Sequence, residues 1–176
     1  FEAKTVENAD RQTKDRLGML AYLLSGLEQL KDFKKFATTI ETEDRIIQVE
    51  AHALTVANAA PPTSVLAHGT AGVICDDGLL DVTIICPATR AGAIAVSYHL
   101  FQSAGNNEAA EREDIGYFRT KKVKIITEPP QKIALDGEII GETPVEIECI
   151  PEALTGFIPK EKVVQAAETL DHLPGI

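Results

Sequence analysis

Two carboxylates stand two residues apart in the stretch Lys132-Ile133-Ala134-Leu135-Asp136-Gly137-Glu138. A carboxylate held by a rigid support can take a proton from a hydroxyl, so the chemistry to look for is general-base work. The preceding residues supply the support. Ile133 and Leu135 alternate with Lys132 and Ala134, the pattern of one face of a strand. Asp-Gly then turns the chain, because Gly accepts positive φ and Asp tolerates it. Taken alone, the stretch has two readings. It is a solvated turn flanked by a surface Glu, or a strand end that presents Asp136 as a base with Glu138 beside it.

A second acidic turn, Asp76-Asp77-Gly78-Leu79-Leu80-Asp81-Val82, feeds a strand over residues 80–86. It is either another Asp-Gly turn or a loop for a hard cation, since a carboxylate and the carbonyls of a tight loop suit Mg²⁺ or Ca²⁺. Its spacing is not that of a calcium-binding helix-loop-helix. The four histidines, His52, His68, His99 and His172, form neither H-E-x-x-H nor an i, i+4 pair. The three cysteines, Cys75, Cys86 and Cys149, form no C-x-x-C. A zinc site and a disulfide framework are therefore both disfavoured. Cys86 and Cys149 have alternating neighbours and are expected as small buried thiols in strands, in a reducing cytoplasmic compartment.

The bulk properties narrow the partners. With 176 residues, one domain spanning residues 1–176 is expected, large enough to bury a core. Hydrophobic residues at 44% and charged residues at 25% are ordinary for a globular chain. A net charge of −10 argues against nucleic acid and against a polybasic grip on anionic lipid. The absence of Trp argues against a base-stacking platform. No apolar run approaches the ~20 residues of a spanning helix, and no signal-peptide pattern opens the chain. It begins with Phe1 and not Met, which suggests a start inside a longer protein.

The elements that must position these turns follow from periodicity. Leu17, Leu20, Leu24, Leu27 and Leu30 share one helical face, predicting an amphipathic helix over 15–31. Residues 36–40 read as a strand, Glu43-Asp44 as a turn, and 45–58 as one long second strand with Ile47, Val49, Leu54 and Val56 inward. Prolines 61 and 62 end it. A helix is expected from Thr89 to near Gly105, with Ala91, Ile94, Ala95, Tyr98 and Phe101 on its inner face. Residues 117–127 read as a strand with Lys122 and Lys124 out and Val123 and Ile125 in. Val145, Ile147 and Cys149 mark another half-buried strand. A short strand over 156–159 and a terminal helix over 163–170 complete the reading. Many short strands and few helices make the fold class mainly β, a β-sandwich with two or three attached helices.

Taken in order, these stretches resemble the C-terminal domain of the diacylglycerol kinase and sphingosine kinase family of lipid kinases. The resemblance runs from Asp10-Arg11 through Leu17-Gly18, Leu20 and Tyr22, to Val56-Ala57-Asn58, to Asp76-Asp77-Gly78-Leu79-Leu80-Asp81-Val82. It continues through Leu135-Asp136-Gly137-Glu138 and Thr143-Pro144 to Ile150-Pro151-Glu152-Ala153-Leu154. One departure stands out. Where relatives follow the Asn with a glycine-rich run, here Asn58 leads into Ala-Ala-Pro-Pro-Thr-Ser.

The resemblance implies the second domain of the NAD kinase/diacylglycerol kinase-like fold, whose active site lies in a cleft against an N-terminal domain. That domain carries a G-G-D-G-T loop for ATP, and this chain contains no such loop. The implied reaction transfers the γ-phosphate of ATP, a co-substrate, to a lipid hydroxyl at the membrane surface. The resemblance maps the general base onto Asp136 and an acidic helper onto Glu138. It maps a structural Mg²⁺ onto the Asp77 side chain with the carbonyls of Ile74 and Leu79. It leaves the partners as the lipid, the absent kinase domain and, open as yet, a second copy in a homodimer. The competing class is a non-catalytic lipid-binding or regulatory β-sandwich module, or an interaction domain with a broad apolar patch.

Overall fold

Alternation bounded by turn residues produces strands, and nine of them occur in the computed structural model, which describes residues 34–59, 73–106, 112–156 and 167–175. They are β1 (Phe36–Glu41), β2 (Ile46–Ala51), β3 (Ala53–Ala57), β4 (Leu80–Ile85), β5 (Ile115–Thr120), β6 (Lys122–Glu128), β7 (Lys132–Leu135), β8 (Glu138–Glu142) and β9 (Val145–Glu148). One sheet has the order β2-β1-β6-β9, a second β3-β4-β5, and β7-β8 stands apart as a two-stranded ribbon. Every pairing is antiparallel. Ile40, Ile47, Val49, Leu80, Val82, Ile84, Phe118, Val123 and Ile125 meet in one buried cluster between the two larger sheets. The mainly β sandwich expected from the sequence is the fold observed.

The stretches 45–58 and 117–127, expected as single long strands, are each two. β2 stops at Ala51 and β3 starts at Ala53; β5 stops at Thr120 and β6 starts at Lys122. At His52 and again at Lys121 the chain leaves one sheet for the other, which is how strands make the corners of a sandwich. The backbone N–H of His52 donates to the Ile85 carbonyl at 2.8 Å, and the N–H of Cys149 to that of Lys121 at 2.8 Å. Alternation survives a corner, so hydropathy alone does not reveal it. The inward positions do hold: Ile47 and Val49 are buried, and Leu54 and Val56 pack against the cluster half-buried.

β4 is central and buried along its whole length. Leu80, Val82 and Ile84 face the first sheet. The opposite face, at Ile85 and beside Ile115 of β5, meets Val96 and Leu100 of helix α1 (Arg90–Asn106). Thr89 caps the helix as expected, its Oγ1 accepting from the Gly92 N–H at 3.0 Å. The buried face is not the expected one. Ala93, Val96, Leu100 and Ser103 are inward, whereas Ala91 and Tyr98 are exposed and Ile94 is 43% exposed. The helix is apolar around most of its girth, so periodicity could not choose the face that packs.

The helix expected over 15–31 lies outside the described residues, as do 157–166, with the strand expected over 156–159 beyond Gly156 and the first half of the terminal helix. The described part of that helix is extended. Thr169 exchanges backbone hydrogen bonds with Tyr117 at 2.8 and 2.9 Å. Leu170 and Leu173 enter the main cluster, and a Cβ at Gly116 would overlap the Leu173 side chain. Arg45 grips Glu168 through two N–H···O bonds of 2.6 Å, and Glu50 N–H reaches the Pro174 carbonyl at 3.3 Å. The tail thus covers the edge strands β5 and β2, which overrides the helical preference of a short local pattern.

Candidate active site

The Asp136 turn forms as its residues dictate. Leu135 pairs with Glu138 across it, and Asp136 and Gly137 have φ of 48° and 92°. Positive φ at both central residues is the two-residue hairpin turn whose twist suits the flanking strands. Asp136 is therefore the tip of the β7-β8 ribbon and Glu138 its first returning residue. Both are exposed, and no hydrogen bond or ion pair reaches either carboxylate among the described residues. The ribbon's apolar side chains are uncovered too: Leu135, Ile139 and Ile140 are 58–68% exposed.

The base of the ribbon is tied down. Thr143 N–H donates to the Gln131 carbonyl at 2.9 Å, and Gln131 N–H donates to Thr143 Oγ1 at 2.9 Å. The same Thr143 hydroxyl is hydrogen-bonded to the hydroxyl of Thr127, which is buried near the end of β6. Thr143-Pro144 entered the sequence comparison only as a motif of the resemblance; the Thr143 hydroxyl joins both arms of the ribbon to the sandwich.

The Asp77 turn is built differently. Asp77 Oδ1 accepts from the Leu79 N–H at 2.9 Å, and Oδ2 accepts from Arg119 Nη1 at 2.8 Å. Gly78, at φ 74°, faces Pro151, whose Cγ lies 3.5 Å from where a Cβ would stand. Cys149 Sγ donates to Asn58 Oδ1 at 3.6 Å. The stretches around Asn58, Gly78 and Ile150-Pro151 are thus gathered at one end of the sandwich. Of the two thiols expected in strands, Cys86 is buried and Cys149 half-buried, each just beyond a strand end, and Cys75 is exposed. Burial pushes the Cys86 thiol up to about 12.

Each Asp77 oxygen keeps a lone pair beyond the hydrogen bond it accepts, and the loop's other donors are hard carbonyl oxygens. That donor chemistry fits a Mg²⁺-type cation held by Asp77, Ile74 and Leu79. Arg119, which sequence reading missed, already supplies positive charge there. Among the described residues no group of three or more His, Cys, Asp and Glu side chains gathers to hold a metal.

The two acidic turns are rooted at opposite ends of β6. Arg119, the Asp77 partner, lies three residues before β6 begins, and the ribbon leaves from the far end of β6 at Glu128. The length of β6 alone is on the order of 20 Å. Asp81, in the same acidic stretch as Asp77, is 2% exposed and takes a hydrogen bond from Tyr117 Oη on Oδ1, while Oδ2 is buried without a hydrogen-bond partner. Burial raises its pKa; the Tyr117 hydrogen bond and the Arg119 charge oppose that, and the Asp77 charge adds to it.

The fold and these stretches have counterparts. Residues 1–158 match the family described as the YegS C-terminal NAD kinase beta sandwich-like domain. The chain belongs to this family. It is 44% identical over 161 residues to an uncharacterised protein of Synechocystis sp., covering 92% of this chain and 37% of the relative. It is 30% identical over 161 residues to the "Probable lipid kinase YegS-like" of Xanthomonas oryzae, covering 92% and 51%. With the diacylglycerol kinase of Bacillus subtilis the identity is 28% over 154 residues, covering 86% and 48%. A crystal structure of a Bacillus anthracis protein assigned as a diacylglycerol kinase superposes with a TM-score of 0.56 at 25% identity, over 74% of this chain and 43% of that one. The expected kinship with lipid kinases is borne out, and the chain spans about half the length, or less, of the curated relatives it matches. Among the described residues no helix is long and apolar enough to cross a membrane.

Proposed function

We propose that this domain is the substrate-side half of an ATP-dependent lipid kinase, with Asp136 the general base for the attacking hydroxyl. One observation carries the reading: in a domain of this family, the Asp-Gly turn holds the Asp136 and Glu138 carboxylates at an exposed ribbon tip, uncommitted to any partner among the described residues. Phosphoryl transfer rests on positioning and charge neutralisation. Asp136 accepts the hydroxyl proton as oxygen attacks the γ-phosphate, and Glu138 orders water or cation at the phosphates. The phosphate-binding groups belong to an N-terminal domain, and the uncovered Leu135, Ile139 and Ile140 suit burial against such a body. A Mg²⁺ at Asp77 would fasten one end of the sandwich and take no part in the transfer, since the ribbon leaves from the other end. The lipid is diacylglycerol-like, met at the membrane surface from the cytoplasm.

The test is direct. Full-length parent protein, given ATP, Mg²⁺ and mixed micelles of diacylglycerol or another hydroxyl lipid, should form the phosphorylated lipid, and residues 1–176 alone should form none. Turnover by the 1–176 fragment, or its absence from the parent on every hydroxyl lipid, overturns the reading.

A further inference from the structure

The ribbon that carries Asp136 and Glu138 shares no strand pairing with either larger sheet. An isolated two-stranded ribbon is marginal in water, so its direction is set by its root and by whatever covers it. At the root the side-chain ties are few. Thr143 Oγ1 accepts from the Gln131 N–H at 2.9 Å and is bonded to the hydroxyl of Thr127, itself 7% exposed. Gln131 and Thr143 also share a backbone bond of 2.9 Å. A hydroxyl is what this position needs, because it accepts from one arm and still exchanges a hydrogen bond with β6. Valine has the same shape and can do neither.

We infer that Thr143 is a positioning residue for the phosphoryl transfer: its hydroxyl, locked between Gln131 and Thr127, fixes the angle at which the ribbon presents Asp136. This rests on the proposed role of Asp136 and adds a residue to which no part in the reaction has been given. The leverage is large. Four residues of strand make an arm of about 13 Å, so a tilt of roughly 10° at the root moves the tip by about 2 Å. A misplacement of about 1 Å at reacting groups can cost roughly 10²-fold in rate.

The experiment uses the full-length parent, with Thr143→Val, Thr143→Ser, Thr127→Val and Asp136→Asn compared at a temperature well below every melting midpoint. Thr143→Val should lower kcat roughly 10- to 100-fold while leaving KM for ATP unchanged. Thr143→Ser, which keeps the hydroxyl, should restore most of the rate. Thr127→Val should follow Thr143→Val, and ribbon amides should exchange hydrogen faster in both. If Asp136→Asn loses turnover but Thr143→Val keeps it, the positioning role is wrong and the base stands. If Thr143→Ser is as slow as Thr143→Val, or the rate tracks the melting midpoint alone, the hydroxyl serves only stability and the inference fails. If Asp136→Asn keeps normal turnover, the base reading falls, and the claim for Thr143 falls with it.

Discussion

Two Asp-Gly turns in this chain share their chemistry and differ in everything around it. At Asp77-Gly78 both carboxylate oxygens have partners inside the fold: one accepts from the Leu79 amide, the other from Arg119, and Pro151 packs over the glycine. The turn opens onto β4, whose six residues are all buried. At Asp136-Gly137 nothing lies within 4 Å of where a glycine Cβ would stand, and the flanking strands are almost wholly exposed. The difference separates two uses of the same residues. A carboxylate with its hydrogen bonds made inside the fold contributes to stability. One held rigidly by backbone geometry, with its oxygens unused, remains available to a substrate. Local sequence cannot distinguish the two, because the partner that decides, Arg119, is 42 residues away from Asp77.

The sharpest way to break this contrast is to remove charge from the free turn. Asp136→Asn keeps the size and the turn but cannot accept a proton as a carboxylate does. On the proposed role of Asp136, kcat of the full-length parent protein should fall about 10²–10⁴-fold, the range a general base contributes. KM for ATP and the melting midpoint should stay where they are, because no interaction within the described domain is lost. Glu138→Gln should lower kcat less, since the role proposed for it is to order water and charge. A melting midpoint that falls with kcat would place Asp136 in the same class as Asp77.

The committed turn should answer the other way. Asp77→Ala removes the cap on Leu79 and leaves the Arg119 side chain, 11% exposed, without this partner. A loss of about 1–3 kcal/mol is expected, read as a lower denaturant midpoint in the isolated domain. If a cation also sits on the Asp77 oxygens, the loss will be larger in Mg²⁺ than in chelator. Equal losses in both would leave Arg119 as the sole countercharge, and would remove the cation from the proposal without touching the ribbon.

How far the sequence carried these assignments depended on range. Alternation and Asp-Gly gave most strands and both turns, because those signals lie within a few residues. The corners at His52 and Lys121 were invisible, since a strand that changes sheets keeps its alternation. The face of α1 could not be read, because Ile94 is as apolar as Val96 and Leu100, Tyr98 has a largely apolar ring, and only the position of β4 and β5 selects between them. The extended run at Thr169 is imposed by Tyr117, 52 residues earlier, through backbone groups whose identity sequence does not encode. The turn that carries Asp136 was legible from Asp-Gly. Thr143 was visible only as part of the Thr143-Pro144 motif of the resemblance, and its partners Thr127 and Gln131 gave no sign of converging.

The smallest expected effect concerns Asp81, which sharpens the contrast from inside the fold. Burial raises its pKa above the ordinary aspartate value near 4, although the Tyr117 hydrogen bond and Arg119 pull the other way. A group with a raised folded-state pKa favours the native state while protonated. Its contribution is full below the unfolded value and is lost as pH rises through the folded one, beyond which the buried charge is a cost. Asp81→Asn retains an acceptor for Tyr117 Oη and carries no charge. It should match the parent sequence in melting midpoint below pH 4, then rise above it as the pH approaches 7. The quantity to plot is the difference between the two midpoints against pH, so that the many surface carboxylates common to both cancel. A flat difference would mean that Asp81 titrates alike in the folded and unfolded chains. A variant that becomes less stable toward neutral pH would mean that Arg119 holds Asp81 as a charge. The acidic stretch would then anchor one arginine with two carboxylates, and the committed turn would reach into the core.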